Sequence, residues 1–204
     1  MKKDVKVMLK EAFVLFSITL ISGLLLGFVY QLTKDPIAKA QELAIQNACK
    51  AVFSDAASFE LISAVPSAEL QARMEESGVR IEEAYEAYGS DGSLIGHVIS
   101  SASSEGYGGD IVLYLGVDLE GKLRDVSILD ISETAGLGMN AESVLVPQFH
   151  DKAVSSFTYT KTGSTSESEI DAISGATITT KAFTNAVNYG LEMAAELRKG
   201  GDAR

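Results

Sequence analysis

The pattern of apolar and polar positions divides the chain into a membrane-length segment and a mixed domain. Residues 12–32 read AFVLFSITLISGLLLGFVYQL. This run contains no charged side chain, and the next one is Lys34. This run matches the roughly 20 apolar residues that a helix needs to cross the hydrocarbon core. It is longer than the roughly 7–15-residue apolar region of a cleaved signal peptide. The pattern therefore predicts one transmembrane helix over residues 12–32.

The segment after this run decides between an anchor and a cleaved leader. Residues 38–40 read AKA, which has the A-x-A form of a cleavage site. Asp35 and Pro36, in contrast, have the form of an N-cap and first helical turn. A helical pattern then continues from residue 36 to about residue 53. We therefore favour an uncleaved anchor followed by a second helix.

Beyond residue 53 the apolar period changes between helical and strand-like. Two pairs of alternating runs, joined by turns containing Asp-Gly and Glu-Gly, predict two hairpins: residues 84–88 with 94–101, and residues 111–117 with 123–129. Helical patterns cover residues 67–76, closed by Gly78, and residues 177–199, and a short helix is expected within residues 144–155. Residues 158–170 are polar and predict a surface loop. The predicted fold class is α+β, an antiparallel sheet packed with helices and preceded by one N-terminal transmembrane helix.

Charge is distributed unevenly along the chain. The net charge is −11, and residues 1–11 hold four lysines against Asp4 and Glu11. Residues 33–204 hold 13 basic and 26 acidic groups, which gives −13. The positive-inside rule predicts that residues 1–11 are a cytoplasmic tail and that residues 33–204 form an extracytoplasmic domain on the cell (inner) membrane. The acidic domain argues against nucleic-acid binding, because phosphate contacts need basic patches.

Cysteine and histidine are too sparse for several kinds of site. Cys49 is the only cysteine and lies in a helical pattern, which favours a small buried core residue. His97 and His150 are the only histidines and are far apart in sequence. Neither has a nearby thiol or acidic partner set, so we interpret both as structural or surface residues. The sequence predicts no metal site and no catalytic triad.

The sequence DAISGATITT, residues 171–180, lies just before the final helix. Its small residues allow close approach of the backbone to a ligand, and a helix start with free N–H groups favours a phosphate. The same hydroxyl side chains also serve as ordinary helix caps. The residues of this segment alone leave both interpretations open.

Two further loops favour a binding pocket. GYGGD, residues 106–110, precedes a predicted strand, and ETAGLG, residues 133–138, follows one. Glycine lets a flat ligand approach the backbone closely, although each loop alone is also compatible with a simple turn. Three such segments in one small domain fit a pocket better than three unrelated turns.

GYGGDIVLYLGVD (residues 106–118), ETAGLG (residues 133–138) and DAISGAT (residues 171–177) resemble the sequence blocks of the FMN-binding domain family, in the same order. DAISGAT resembles the flavinylation signature D-x-x-[ST]-G-A-T, in which a flavin transferase joins FMN to the last threonine through a phosphoester bond. That residue is Thr177 here. The lysine-bearing start, the single membrane helix and TKDPIAKA (residues 33–40) resemble the G subunits of the Rnf complex family. Ala135 departs from the proline expected in the ETAGLG block.

The resemblance implies an electron-relay subunit of an ion-translocating ferredoxin:NAD oxidoreductase, with no catalytic residue of its own. It implies other membrane and redox subunits as partners and a flavin transferase during maturation. FMN attachment is assigned to Thr177, and the phosphate shell to Ser174, Gly175, Ala176 and Thr179. The candidates for the ring or ribityl pocket are Glu133, Thr134, Leu137 and Gly138. Asp171 and Gly175 belong to the transferase signature. Tyr107 either borders the flavin or is a core residue, and the sequence leaves both roles open.

Two alternatives remain beside this interpretation. The flavin subunit of a sodium-translocating NADH:quinone oxidoreductase shares the signature and the external domain. The short chain and TKDPIA (residues 33–38) favour the Rnf family. A membrane-tethered binding module without a redox cofactor is the alternative from a different functional class.

Overall fold

The structure is a computed structural model that describes the backbone of residues 2–201. Met1 and residues 202–204, the ends of the predicted tail and domain, lie outside the described residues, as do the side chains of Lys2, Lys3 and Asp4. The chain divides into two compact units, Met1–Ala44 and Ile45–Arg204.

Helix α1 spans Lys2–Val52 without a break. It is long and apolar enough to cross a membrane, and its apolar side chains, such as Phe13 and Leu24, are exposed. The predicted helix start at Asp35 and Pro36 is wrong, because Pro36 lies inside α1. Proline removes one intrahelical hydrogen bond, but its fixed φ is helical. The good helix formers that follow in AKAQELA, residues 38–44, allow the helix to continue.

Five antiparallel strands form the main sheet in chain order. They are β1 (Ser58–Ile62), β2 (Val79–Tyr88), β3 (Leu94–Ser103), β4 (Ile111–Asp118) and β5 (Leu123–Ile131). Both predicted hairpins, β2–β3 and β4–β5, are confirmed and extend a few residues beyond the predicted bounds. Each turn needs a glycine with positive φ, which is +79° at Gly92 and +92° at Gly121. β1 was not predicted.

The final helix, α4 (Thr177–Gly201), covers one face of the sheet. Its buried residues Phe183 and Val187 share a core with Ile99 of β3 and Leu115 of β4. A Cβ at Gly190 would lie 2.9 Å from Leu115 Cδ1, so glycine lets α4 approach the strand closely. The predicted helix over residues 177–199 is confirmed.

The last turns of α1 belong to the second unit and cover the other face of the sheet. Cys49 is 1% exposed and packs with Phe53, Val98 and Tyr114 in a second core cluster. A Cβ at Gly116 of β4 would lie 2.6 Å from the backbone oxygen of Val52. The predicted core role of Cys49 and the predicted α+β class, a helix-packed antiparallel sheet, are confirmed.

Short helical segments connect the strands and α4. Helix α2 (Ala68–Glu76) is confirmed, and its N-cap Ser67 accepts a hydrogen bond from Leu70 N at 3.3 Å. The short helix predicted within residues 144–155 is found only as the end of one helix and a 3₁₀ turn. Helix α3 (Ala141–Val144) ends early, a 3₁₀ turn covers Val146–Gln148, and Lys152 pairs with Leu123 at the start of β5.

The predicted surface loop over residues 158–170 is wrong at both ends. β6 (Thr158–Thr160) pairs in parallel with β7 (Glu169–Asp171) in a separate two-stranded sheet. Tyr159 and Ile170, which are paired in register, pack into the main core. Burial of these two side chains anchors an otherwise polar segment.

Candidate functional site

The strand register brings two glycine-rich loops to the same edge of the sheet. Ile111, the first residue of β4, pairs with Ser103 at the end of β3 and with Ile131 at the end of β5. The β3–β4 loop, which contains residues 106–110, and the loop at residues 132–138 therefore leave the sheet side by side.

A cavity of about 470 Å³ lies where these loops meet the start of α4. Three protein segments line it, and its lining residues are Tyr107, Glu133, Thr134, Leu137, Gly138, Gly175, Ala176, Thr177, Ile178 and Thr179. Apart from Ile178, every lining residue was a predicted site residue. The structure thus brings together residues that lie up to 72 positions apart in the sequence, from Tyr107 to Thr179.

Glycine is required where the loops pack against each other. A Cβ at Gly138 would lie 2.7 Å from both Glu133 Cβ and Thr179 Oγ1. A Cβ at Gly108 would overlap the backbone oxygen of Ser132. A larger residue at Gly138 would displace its loop from α4, and a larger residue at Gly108 would displace the β3–β4 loop from Ser132.

The Glu133 carboxylate joins all three segments. Its Oε1 accepts hydrogen bonds from Tyr107 N at 2.8 Å and from Gly108 N at 3.3 Å. Its Oε2 accepts from Thr179 Oγ1 at 3.1 Å. Hydrogen bonds to a charged acceptor are stronger than neutral ones, so this half-buried side chain fixes both loops to the first turn of α4.

The start of α4 is shaped by Thr180. Its buried hydroxyl donates to Ala176 O at 2.9 Å and accepts from Ile173 N at 3.1 Å. The first intrahelical bond runs from Thr180 N to Ala176 O at 3.0 Å. The N–H groups of residues 177–179 therefore precede the helical ladder. They form the positive end of the helix dipole, where an anion binds favourably.

The three threonines of this turn differ in their surroundings. Thr179 and Thr180 are buried, and both hydroxyls are held in hydrogen bonds. Thr177 is half-buried and lines the cavity. Among these three residues, Thr177 is therefore the most accessible hydroxyl from the cavity.

Two predicted site residues lie outside the cavity lining. Asp171 ends β7, and its Oδ1 accepts from Ser164 N at 2.6 Å, which closes the loop between β6 and β7. Its backbone N donates to Gln148 Oε1 at 2.7 Å. Ser174 is exposed and precedes the turn at Gly175, where φ is +79°. Asp171 thus organises the backbone that leads to the site.

Apolar side chains stand at the mouth of the cavity. Tyr107 is 71% exposed, Ile178 is 53% exposed and Leu137 is 39% exposed. Ile178 was not predicted from the sequence. It lies outside the apolar stripe that α4 buries, and an apolar residue on the polar side of a helix start is the signal that could have identified it.

The two histidines lie apart from this cavity, as structural or surface residues. His97 is buried in β3, and its burial lowers the pKa of the imidazole below the ordinary value. The exposed ring of His150 pairs through Nδ1 with Asp125 Oδ2 at 3.0 Å.

Sequence comparisons identify the class of protein to which this fold and cavity belong. Residues 106–192 match the family described as the FMN-binding domain, a range that holds every residue lining the cavity. Residues 1–52, essentially helix α1, match the family described as the RnfG N-terminal region.

Two relatives, both G subunits of ferredoxin:NAD(+) oxidoreductase complexes, define the family more closely. The chain is 31% identical over 201 residues to the one from the Na(+)-translocating complex of Acetobacterium woodii, with 96% of each chain covered. It is 33% identical over 174 residues to the one from the proton-translocating complex of Clostridium ljungdahlii, with 84% of this chain and 83% of that protein covered. The chain belongs to the family of Rnf complex G subunits, which confirms the resemblance seen in its motifs.

A solved structure supports the fold. The crystal structure of NqrC from Shewanella oneidensis matches with a TM-score of 0.50 at 14% identity, covering 74% of this chain and 88% of that chain. At this level of identity the likeness concerns the fold alone.

Proposed function

We propose that this chain is the electron-transfer subunit, with covalently bound FMN, of a membrane-bound, ion-translocating ferredoxin:NAD oxidoreductase (Rnf) complex. The observation that carries the proposal is the cavity at the start of α4, which three glycine- and hydroxyl-rich segments line and which Thr177 borders. The chain relays electrons and contributes no catalytic residue of its own.

The residues of the cavity fit such a cofactor. A volume of about 470 Å³ lies within the roughly 300–1,000 Å³ of small-molecule sites. The free N–H groups at the start of α4 suit a phosphate. Tyr107, Leu137 and Ile178 offer apolar surface for a flat ring. When bound, FMN supplies the redox chemistry through its isoalloxazine ring, and the protein positions and tunes that ring.

Thr177 is the proposed attachment residue, through a phosphoester bond. Its hydroxyl borders the cavity, whereas the hydroxyls of Thr179 and Thr180 are buried and hydrogen-bonded. A phosphate at Thr177 lies beside the unpaired N–H groups of the first turn, while one placed farther into the helix meets fewer of them. The match of DAISGAT to the flavinylation signature selects the same residue.

Mass spectrometry tests this attachment in protein co-expressed with a flavin transferase. Thr177→Ala removes the acceptor and is expected to abolish the fluorescent flavin band on a denaturing gel without unfolding the domain. Thr179→Ala should keep a band. Trypsin releases residues 162–181 as one peptide, bounded by Lys161 and Lys181. Fragment ions that place the FMN mass on Thr179 or Thr180 would contradict the proposal, and a colourless protein would favour a non-redox binding module.

The proposal extends to the whole chain. Residues 1–11 form a cytoplasmic tail, residues 12–32 span the membrane, and residues 33–204 form an extracytoplasmic FMN-binding domain. The other membrane and redox subunits of the complex are its lasting partners, and the flavin transferase is a partner during maturation. A covalent bond retains the cofactor in a compartment where released flavin is lost.

A further inference from the structure

The cavity has an unusual charge for a site that faces a phosphate. Glu133 is the one charged residue in its described lining, and no lysine or arginine lines it. The nearest basic residue along α4, Lys181, pairs instead with Glu105 through an Nζ–Oε2 contact of 3.1 Å. Sites that recognise phosphate groups usually provide arginine or lysine.

The Glu133 carboxylate cannot easily turn away from the cavity. Three donors hold its two oxygens, namely Tyr107 N, Gly108 N and Thr179 Oγ1. The position that a Cβ would take at Gly138 is 2.9 Å from Glu133 Oε2, so the loop also packs tightly around the side chain. The negative charge is therefore fixed, and through Thr179 it is tied to the helix turn that contains Thr177.

A fixed carboxylate at this place opposes a second negative group. Like charges repel more strongly where the surroundings are partly shielded from water, as they are beside the half-buried Glu133. The Glu133 carboxylate also offsets part of the positive potential that the helix dipole produces at the start of α4. Both effects act on the phosphate of a flavin and leave the neutral ring system unaffected.

From this geometry we infer that Glu133 makes the unmodified cavity discriminate against free, phosphate-bearing flavin, so that retention of FMN depends on the covalent bond rather than on phosphate recognition. The inference rests on the proposed function and deepens it. Glu133 acts as a specificity-determining residue. In the unmodified chain, the cavity takes riboflavin, which lacks the phosphate, at least as well as FMN.

Binding to the full-length chain, produced without a flavin transferase and kept in detergent, tests the inference. Riboflavin and FMN are titrated separately, and binding is followed by quenching of flavin fluorescence. We expect riboflavin to bind the parent protein at least as tightly as FMN. Glu133→Gln, which keeps the shape and removes the charge, is expected to tighten FMN binding by roughly fivefold. That gain should shrink as salt is added.

The riboflavin titration separates charge from structure. A loosened loop would weaken both flavins, whereas removal of the charge changes FMN alone. Glu120→Gln is the matched control, because Glu120 is an exposed acid in the turn between β4 and β5, outside the cavity lining. It should leave the FMN-to-riboflavin ratio unchanged.

Three results would overturn the inference. The first is tighter binding of FMN than of riboflavin to the parent, and the second is an unchanged FMN-to-riboflavin affinity ratio in Glu133→Gln. The third is that neither flavin binds the parent or the variant. In the last case Glu133 is not what limits retention. None of these results affects the flavin band of Thr177 in co-expressed protein, so the attachment proposal is judged separately.

Discussion

At the scale of single residues, Gly138 gives a direct test of how closely the loops must approach. Gly138→Val places a branched side chain where even a Cβ would be 2.7 Å from Glu133 Cβ and Thr179 Oγ1. Overpacking of this kind costs about 1–3 kcal/mol. We expect a folded domain with a lower free energy of unfolding in urea and an altered flavin spectrum or redox behaviour.

The control for this substitution is Gly200→Ala, since nothing lies within 4 Å of a Cβ added there. It should leave the flavin spectrum close to that of the parent and should not lower the unfolding free energy, since alanine favours a helix more than glycine does. If Gly138→Val behaved like Gly200→Ala, the ETAGLG loop, residues 133–138, would not limit the width of the cavity.

Nine of the ten residues that line the cavity were predicted as site residues, and Ile178 is the exception. Glycine and hydroxyl content identified the segments at residues 106–110, 133–138 and 171–180, because those residue types serve close approach and anion binding. The three hydrogen bonds of Glu133 could not be predicted, since they depend on strand register. Asp171 and Ser174 belong to the signature but lie outside the lining, because β7 turns Asp171 toward Ser164.

At the scale of elements, the start of α4 depends on the side chain of Thr180. Thr180→Val keeps the volume but removes the hydroxyl that bonds Ile173 N and Ala176 O. A buried amide left without a partner costs about 1–3 kcal/mol. We expect a lower unfolding free energy and less covalent FMN after co-expression with the transferase, because the turn that presents Thr177 loosens.

Thr180→Ser is the matched variant, because it keeps the hydroxyl and loses only one methyl group, worth about 0.8 kcal/mol. Its flavin content should remain near that of the parent. Equal flavin content in Thr180→Val and Thr180→Ser would show that this hydroxyl does not position the attachment turn.

The elements that the sequence predicted best are those with a long, regular pattern. Both hairpins and α4 have such a pattern, because their buried apolar residues recur at the spacing of a strand or of a helix. β6 and β7 are three residues each in a polar stretch, so their parallel pairing leaves almost no periodic signal. Pro36 instead gave a misleading signal, because its sequence form predicted a helix start that the structure does not have. The one hydrogen bond that proline removes does not end a helix as long as α1.

At the scale of the whole molecule, the distribution of charge bears on how the chain sits in a membrane. The four lysines of residues 1–11 contrast with the −13 charge of residues 33–204. This asymmetry predicts a cytoplasmic N-terminus and an exported domain. The predicted orientation would also give a reason for the proposed covalent link, because a flavin released outside the cytoplasm is not recovered.

Cysteine labelling in spheroplasts tests this orientation. The native Cys49 gives little background labelling. Burial of its thiol and, to a lesser extent, the nearby Glu83 carboxylate raise the thiol pKa to about 12. Since the thiolate is the form that reacts, this thiol reacts slowly. Lys161→Cys places a thiol on an exposed loop of the domain, and Lys10→Cys places one before the predicted span. We expect a membrane-impermeant maleimide to label Lys161→Cys in intact spheroplasts and Lys10→Cys only after detergent is added. The reverse pattern would place the domain in the cytoplasm and would remove the reason for a covalent link.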